Sequence, residues 1–189
     1  MEAFLVSLAT VAVAEIGDRT QLLSLALAAH YRKPWAIIAG ILIATIANHA
    51  VAGLLGSWFG SLLTPTVLDV MVGVSMVAMA AWVLRPDVLK GGGTEVNQRN
   101  AFLATLVAFF IAEIGDKTQI ATLALAAAYP SLLAVVAGTT CGMLIANLPA
   151  VFLGDALSDK LPIRQMNYIA ALMFGLVGIV FIARALNII

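Results

Sequence analysis

Cysteine, charge and extended polar sequence are all scarce in this 189-residue chain, and each scarcity excludes something. The single cysteine, Cys141, rules out an intramolecular disulfide and any multi-cysteine metal site, and it reads as a small apolar packing residue. Charged residues make up 11%, against about 25% in an ordinary soluble protein. Net charge is zero, so nothing in the composition points to nucleic acid or to an acidic partner. The opening Met1-Glu2-Ala3-Phe4 lacks the basic start of a signal peptide, and no Arg-rich, Ser-rich transit segment precedes the first apolar run. That run is therefore expected to be a retained helix.

Apolar residues fill 62% of the chain and mean hydropathy is +1.05, as expected of a polytopic protein embedded in a lipid bilayer. A spanning helix needs about 20 mainly apolar residues. Six segments qualify, which makes the expected fold all-α. They run near 3–29, near 35–63, from the Thr64-Pro65-Thr66 break to about 84, near 101–128, from the Tyr129-Pro130-Ser131 turn to about 157, and near 165–186. Residues 85–100 form the one extended polar stretch; with Pro86, three consecutive glycines and charges of both signs, it reads as a flexible linker.

The second half repeats the first. At an offset of 98, positions 14–31 match 112–129 at 13 of 18 residues, and Arg19/Lys117 is a same-charge exchange. Gly40 lines up with Gly138, and a shift of one residue brings Ala47-Asn48 onto Ala146-Asn147. Three spans per half is an odd number, so the halves must face opposite ways. The expected architecture is one membrane domain made of inverted three-helix repeats, 1–84 and 101–189, with a midplane site. Basic residues set the orientation. Arg32, Lys33, Arg85, Lys90, Arg99, Lys160 and Arg164 follow segments one, three and five, while the opposite face has only Arg184. Those loops, the 85–100 linker among them, are expected in the cytoplasm and both termini outside.

The chemistry sits in two near-identical stretches, Glu15-Ile16-Gly17-Asp18-Arg19-Thr20-Gln21 and Glu113-Ile114-Gly115-Asp116-Lys117-Thr118-Gln119. Charges in hydrocarbon are costly, by roughly 2.5–3.5 kcal/mol per residue on lenient scales. On a helix, positions i and i+3 share a face, so Glu15 projects with Asp18 and Glu113 with Asp116. Gly17 and Gly115 permit close backbone approach or a local break that frees carbonyl oxygens. Inverted symmetry would bring both stretches to one point. Four carboxylates against Arg19 and Lys117 leave a formal charge of −2, which one divalent cation neutralises. The oxygen-rich donor set (Glu15, Asp18, Thr20, Glu113, Asp116, Thr118) suits Ca²⁺, Mn²⁺ or Mg²⁺. Neither stretch contains cysteine or histidine, which argues against a dedicated zinc or copper site. Without metal, crowded acids in hydrocarbon become neutral by holding protons, so metal and protons would compete and cross in opposite directions.

The doubled E-x-G-D-[KR]-T motif, in the first and fourth of six helices, resembles the small divalent cation/proton exchanger family that includes bacterial manganese exporters and Golgi manganese/calcium transporters. The resemblance covers essentially the whole chain. It implies secondary transport of Mn²⁺ and/or Ca²⁺ against protons, no cofactor, no enzymatic activity, and the motif acids as ion ligands. In a bacterium it implies manganese export across the inner membrane.

Each singled-out residue also has a plainer role. For the motif acids the plainer role is structural ion pairing, but one base per two acids cannot neutralise them. Arg19 and Lys117 fit either charge balance and gating or a fixed salt bridge. Thr20 and Thr118 can bond their own helix carbonyls instead of an ion. Gln21 and Gln119 lie off the acid face of an unbroken helix, which weakens them as ion-path lining. Asn48 and Asn147 suit interhelical hydrogen bonding as well as the path. His49, with no histidine twin, is a candidate proton or metal group there. Gly40 and Gly138 read as packing glycines rather than hinges, and Trp35, Trp58, Trp82 and Tyr129 as interfacial anchors. Met71, Met76, Met79 and Met173 read as packing residues. Rival functions are a passive divalent cation channel, an intramembrane aspartyl protease using Asp18 and Asp116, and a non-transporting scaffold. Homo-oligomerisation stays open.

Overall fold

A computed structural model describes residues 1–84, 100–153 and 163–188. The stretch 85–99, most of the expected linker, and the turn residues 158–162 lie outside the described residues. Among those described there are eight α-helices and no strands: α1 (Glu2–Glu15), α2 (Arg19–Tyr31), α3 (Pro34–Leu62), α4 (Pro65–Val83), α5 (Ala101–Glu113), α6 (Lys117–Ala128), α7 (Leu132–Leu153) and α8 (Ile163–Ala185). Four of them, α3, α4, α7 and α8, hold stretches long and apolar enough to cross a membrane. These are the second, third, fifth and sixth expected spans. The first and fourth are not single helices. Each is broken in the middle of its motif into two helices of 12 to 14 residues.

Local chemistry sets the helix ends. Proline occupies the first position of α3 and α4, where a missing N–H costs nothing. Arg32 closes α2 in the left-handed region (φ 52°), its N–H bonded to the Ala28 carbonyl. The Asn100 side chain caps α5 by accepting from the Leu103 N–H (3.3 Å), and Ser131 does the same for α7 through Ala134 (3.3 Å).

Packing crosses between the halves. α1 lies chiefly on α7, α3 on α5, α6 and α7, and α4 on α8. Glycines permit the close approaches, and they repeat at the same offset of 98. A Cβ on Gly40 would stand 2.7 Å from Thr105 Cβ and 2.9 Å from the Phe102 carbonyl oxygen. One on Gly138 would collide with the Phe4 carbonyl oxygen and stand 3.0 Å from Ser7 Cβ. Phe4 and Ser7 are the counterparts of Phe102 and Thr105, so the two contacts are reciprocal. Both glycines serve packing, as their positions in the sequence suggest.

The distribution of polarity inverts that of a water-soluble protein. Glu15, Asp18, Glu113, Asp116, Asn48, His49 and Asn147 are buried, whereas Leu54, Trp58, Phe59, Leu172 and Ile179 face outward. Met76 and Met79 lie in the core, but Met71 is exposed on α4, a departure from its expected packing role. Helix ends meet at two ends of the bundle. At one, Tyr129 donates to Glu2 (3.2 Å) and Arg184 approaches Asp69 (3.9 Å). At the other, the rings of Trp35 and Phe152 meet edge to face at 5.7 Å.

Candidate functional site

Both motif breaks have the same backbone. α1 ends at Ile16 (φ −64°, ψ 121°) and α5 at Ile114 (φ −64°, ψ 117°). Gly17 and Gly115 follow at φ 82° and 74°, a region glycine enters without steric cost. Asp18 and Asp116 are extended (ψ 166° and 165°) and stand at the N-cap positions of α2 and α6. A short turn closes each break, Asp18 N–H to the Glu15 carbonyl (3.0 Å) and Asp116 N–H to that of Glu113 (3.1 Å). The C-terminal ends of α1 and α5, which carry partial negative charge, thus arrive at the acids.

The carboxylates converge. Glu15, Glu113 and Asp116, from both copies, place ligand oxygens within 4.8 Å of one another, and all three residues are buried. Both Glu15 oxygens and Glu113 Oε1 lack a hydrogen-bond partner; Glu113 Oε2 accepts from Thr118 (3.0 Å). Buried oxygens without donors on two acids, beside a third acid from the second copy, are a hard-cation donor set. The bases pair crosswise. Lys117 Nζ lies 2.8 Å from Asp18 Oδ1, and Arg19 lies 2.8 Å from Asp116 Oδ1. Asp18 is therefore held by Lys117 rather than grouped with the other three acids. Thr20 is buried close by in sequence with its hydroxyl unpartnered.

Gln21 and Gln119 do not lie idle on a lipid face. Because the helices break, each side-chain carbonyl accepts from the N–H of its motif glycine, Gly17 (2.8 Å) and Gly115 (2.7 Å). The Gln21 amide donates to the Ala146 carbonyl (2.7 Å) and that of Gln119 to Asn48 Oδ1 (3.4 Å). This pairs position 48 with 146, at a constant offset of 98. The helix starts agree: Arg19/Lys117 and Pro34/Leu132. The one-residue shift expected from the Ala-Asn identities is therefore wrong, and the counterpart of Asn147 is His49. Asn147 accepts from Ser24 (2.6 Å) and donates to the Met143 carbonyl (3.0 Å), whereas His49 is buried with neither ring nitrogen partnered. Asn48 Nδ2 donates to the Phe110 carbonyl (3.2 Å) on α5. Ser24 and Thr122 escaped the sequence reading, although both are hydroxyls at matched positions of the repeat; Thr122 bonds the Thr118 carbonyl (2.8 Å).

A family model described as "Divalent cation/proton antiporter GDT1" matches residues 3–91 and again 101–188. The chain belongs to the GDT1 family. A Vibrio cholerae protein named "Putative manganese exporter" is 48% identical over 180 residues, covering 95% of this chain and 90% of that one. A GDT1-like protein of Synechocystis is 26% identical over 200 residues, 95% of this chain and 96% of its own. The chloroplastic protein PAM71 of Arabidopsis thaliana is 36% identical over 96 residues, half of this chain and 26% of its own. No solved structure matches. The GDT1 description and the apolar helices together make this an integral membrane protein of a transporter family rather than an enzyme. The family model matches twice, and each matched stretch contains one broken helix.

Proposed function

We propose that the protein exports a divalent cation, Mn²⁺ ahead of Ca²⁺, in exchange for protons. One midplane site built from both E-x-G-D motifs would be exposed to the two faces in turn. The observation that carries this reading is the convergence of Glu15, Glu113 and Asp116 from opposite halves around one buried point. Pairing accounts for two of the four negative charges, Asp18 with Lys117 and Asp116 with Arg19. The remaining −2 falls on Glu15 and Glu113, and one divalent cation or two protons neutralises it. That balance favours exchange over a passive channel, because the site is neutral only when loaded with one or the other. In this reading Arg19 and Lys117 balance Asp116 and Asp18, and Thr20 and Thr118 complete the donor set.

The six-span inverted repeat is supported by the constant register of 98, by the reciprocal Gly40 and Gly138 contacts, and by helix ends that meet as six crossings require. The broken first and fourth helices would each count as one crossing, as in other transporters whose sites lie at helix breaks. Manganese as cargo rests on the name of the Vibrio cholerae relative, and that bacterial relative also supports an inner-membrane location. The cytoplasmic placement of the basic loops rests on the bias of basic residues alone.

The test is proton flux in liposomes of purified protein when Mn²⁺ or Ca²⁺ is added across a set pH gradient. Metal-dependent proton movement, absent in Glu15→Gln and Glu113→Gln, is the expected result. Metal flux without proton movement would leave the channel, and no flux from folded protein would overturn transport.

A further inference from the structure

The two broken helices raise a local problem whose solution assigns roles to Gln21 and Gln119. A helix broken inside a membrane leaves a glycine N–H without its carbonyl, and in hydrocarbon that group needs another partner within the protein. In both copies the glutamine four residues on fills the need, accepting from Gly17 or Gly115 through Oε1. The same amide group then donates outward, to the Ala146 carbonyl of α7 or to Asn48 on α3. Each link crosses to the opposite half. A carboxamide can do both jobs at once because it has an acceptor at one atom and donors at the other. A carboxylate or a thioether cannot.

We propose that Gln21 and Gln119 are positioning residues of the transport site. Each holds one break in the shape that presents its glutamate and aspartate, and ties that break to the other repeat. The assignment rests on the transport reading above for what is positioned, and on geometry alone for how. The two struts are unequal. That of Gln21 is buried and ends on a backbone carbonyl at 2.7 Å, whereas that of Gln119 is partly exposed and ends on a side chain at 3.4 Å. Asn48 also bonds Phe110 on α5, so it brackets both sides of the second break. This makes Asn48 part of the bracket rather than a group lining the ion path.

The experiment compares Gln21→Met, Gln21→Glu, Gln119→Met and wild type, each checked for monodispersity, in liposome Mn²⁺ transport and in hydrogen–deuterium exchange of the residue 14–21 and 112–119 segments. Loss of the buried strut is expected to raise KM for Mn²⁺ about tenfold in both Gln21 variants, with maximal rate within about twofold, and loss of the longer strut about threefold. The Gly17 amide should exchange about tenfold faster in Gln21→Met. A Gln21→Glu KM at or below wild type would make the side chain an ion ligand and overturn the assignment. A lowered rate at unchanged KM, meaning a merely structural role, would overturn it too, as would unchanged Gly17 exchange. Wild-type protein that moves no metal, with Gly17 exchange still dependent on Gln21, would sink the transport reading while upholding the strut.

Discussion

The two E-x-G-D copies share a backbone to within a few degrees and differ in what covers them. Around the first copy, Asp18 is buried against Lys117, whose side chain is only 5% exposed, and the Gln21 strut is short. Around the second, Asp116 is held by Arg19, which is 44% exposed, Gly115 and Ile114 face outward, and the strut is long. Local sequence thus dictates the break twice, while its setting is decided by helices from the other half. The two copies are equal in chemistry and unequal in access. In the proposed exchanger built from inverted repeats, that inequality would describe one conformation, and in the opposite conformation the two copies would trade surroundings.

The largest effect tests the equality. Glu15→Gln and Glu113→Gln should each lower metal-dependent proton flux by on the order of 100-fold or more, since losing even a group behind a metal ligand costs 10–100-fold. Both losses should be similar, because the two acids share one point. Near-normal flux in either variant would mean that the copies do not form a common site.

A second pair of variants tests the inequality. Lys117→Met removes the ion pair of a fully buried Asp18 and should destabilise the fold by roughly 3–5 kcal/mol. Arg19→Met removes a half-exposed partner from Asp116, which is also buried, and should cost less, about 1–3 kcal/mol. Melting of the purified proteins reads the difference, and Asp18→Asn added to Lys117→Met should restore most of the loss. Equal costs at the two positions would erase the asymmetry.

Packing offers a smaller and more symmetric comparison. Gly40→Ala and Gly138→Ala each force a methyl group into a helix crossing, at about 1–3 kcal/mol apiece. Gly138→Ala should cost more, because the added methyl would meet the Phe4 carbonyl oxygen more closely than a methyl on Gly40 would meet Thr105 Cβ or the Phe102 carbonyl oxygen. Reversal of that order in melting temperatures would show that the α1–α7 crossing relaxes more readily than the α3–α5 crossing.

The repeat, the buried acids and the four unbroken spans were legible because hydropathy and identity carry them directly. The breaks were half legible. Glycine between two acids permits one, but a continuous apolar run around it looks the same whether the helix breaks or not. The roles of Gln21 and Gln119 depend on that break, so helical periodicity placed them on the wrong face. Cross-pairing of Lys117 with Asp18 could not be read, since periodicity gives a face and not the acid that meets it from another helix. The register slip has a different cause. Matching Asn48 to Asn147 follows side-chain identity, yet at the true counterpart, Ala146, the backbone carbonyl does the accepting. Chemistry was conserved between the halves there while the residue type was not.

His49 is where the halves differ most in kind, and it gives the smallest expected effect. Its counterpart Asn147 bonds the carbonyl four residues back on its own helix and accepts from Ser24. Asparagine at position 49 would find an equivalent of the first, the Thr45 carbonyl at the same offset of 98, whereas the Thr122 hydroxyl that replaces Ser24 already donates to the Thr118 carbonyl (2.8 Å). The imidazole makes neither bond, with both nitrogens buried and unpartnered. His49→Asn should therefore be neutral or stabilising by up to about 1 kcal/mol, the net worth of one hydrogen bond gained. Transport should stay within about threefold of wild type if the side chain only fills space, as a uniform change of that size is worth less than one hydrogen bond. Lost transport at intact stability would instead place His49 on the ion or proton path, and would make the imidazole the one chemical feature by which the two half-cycles differ.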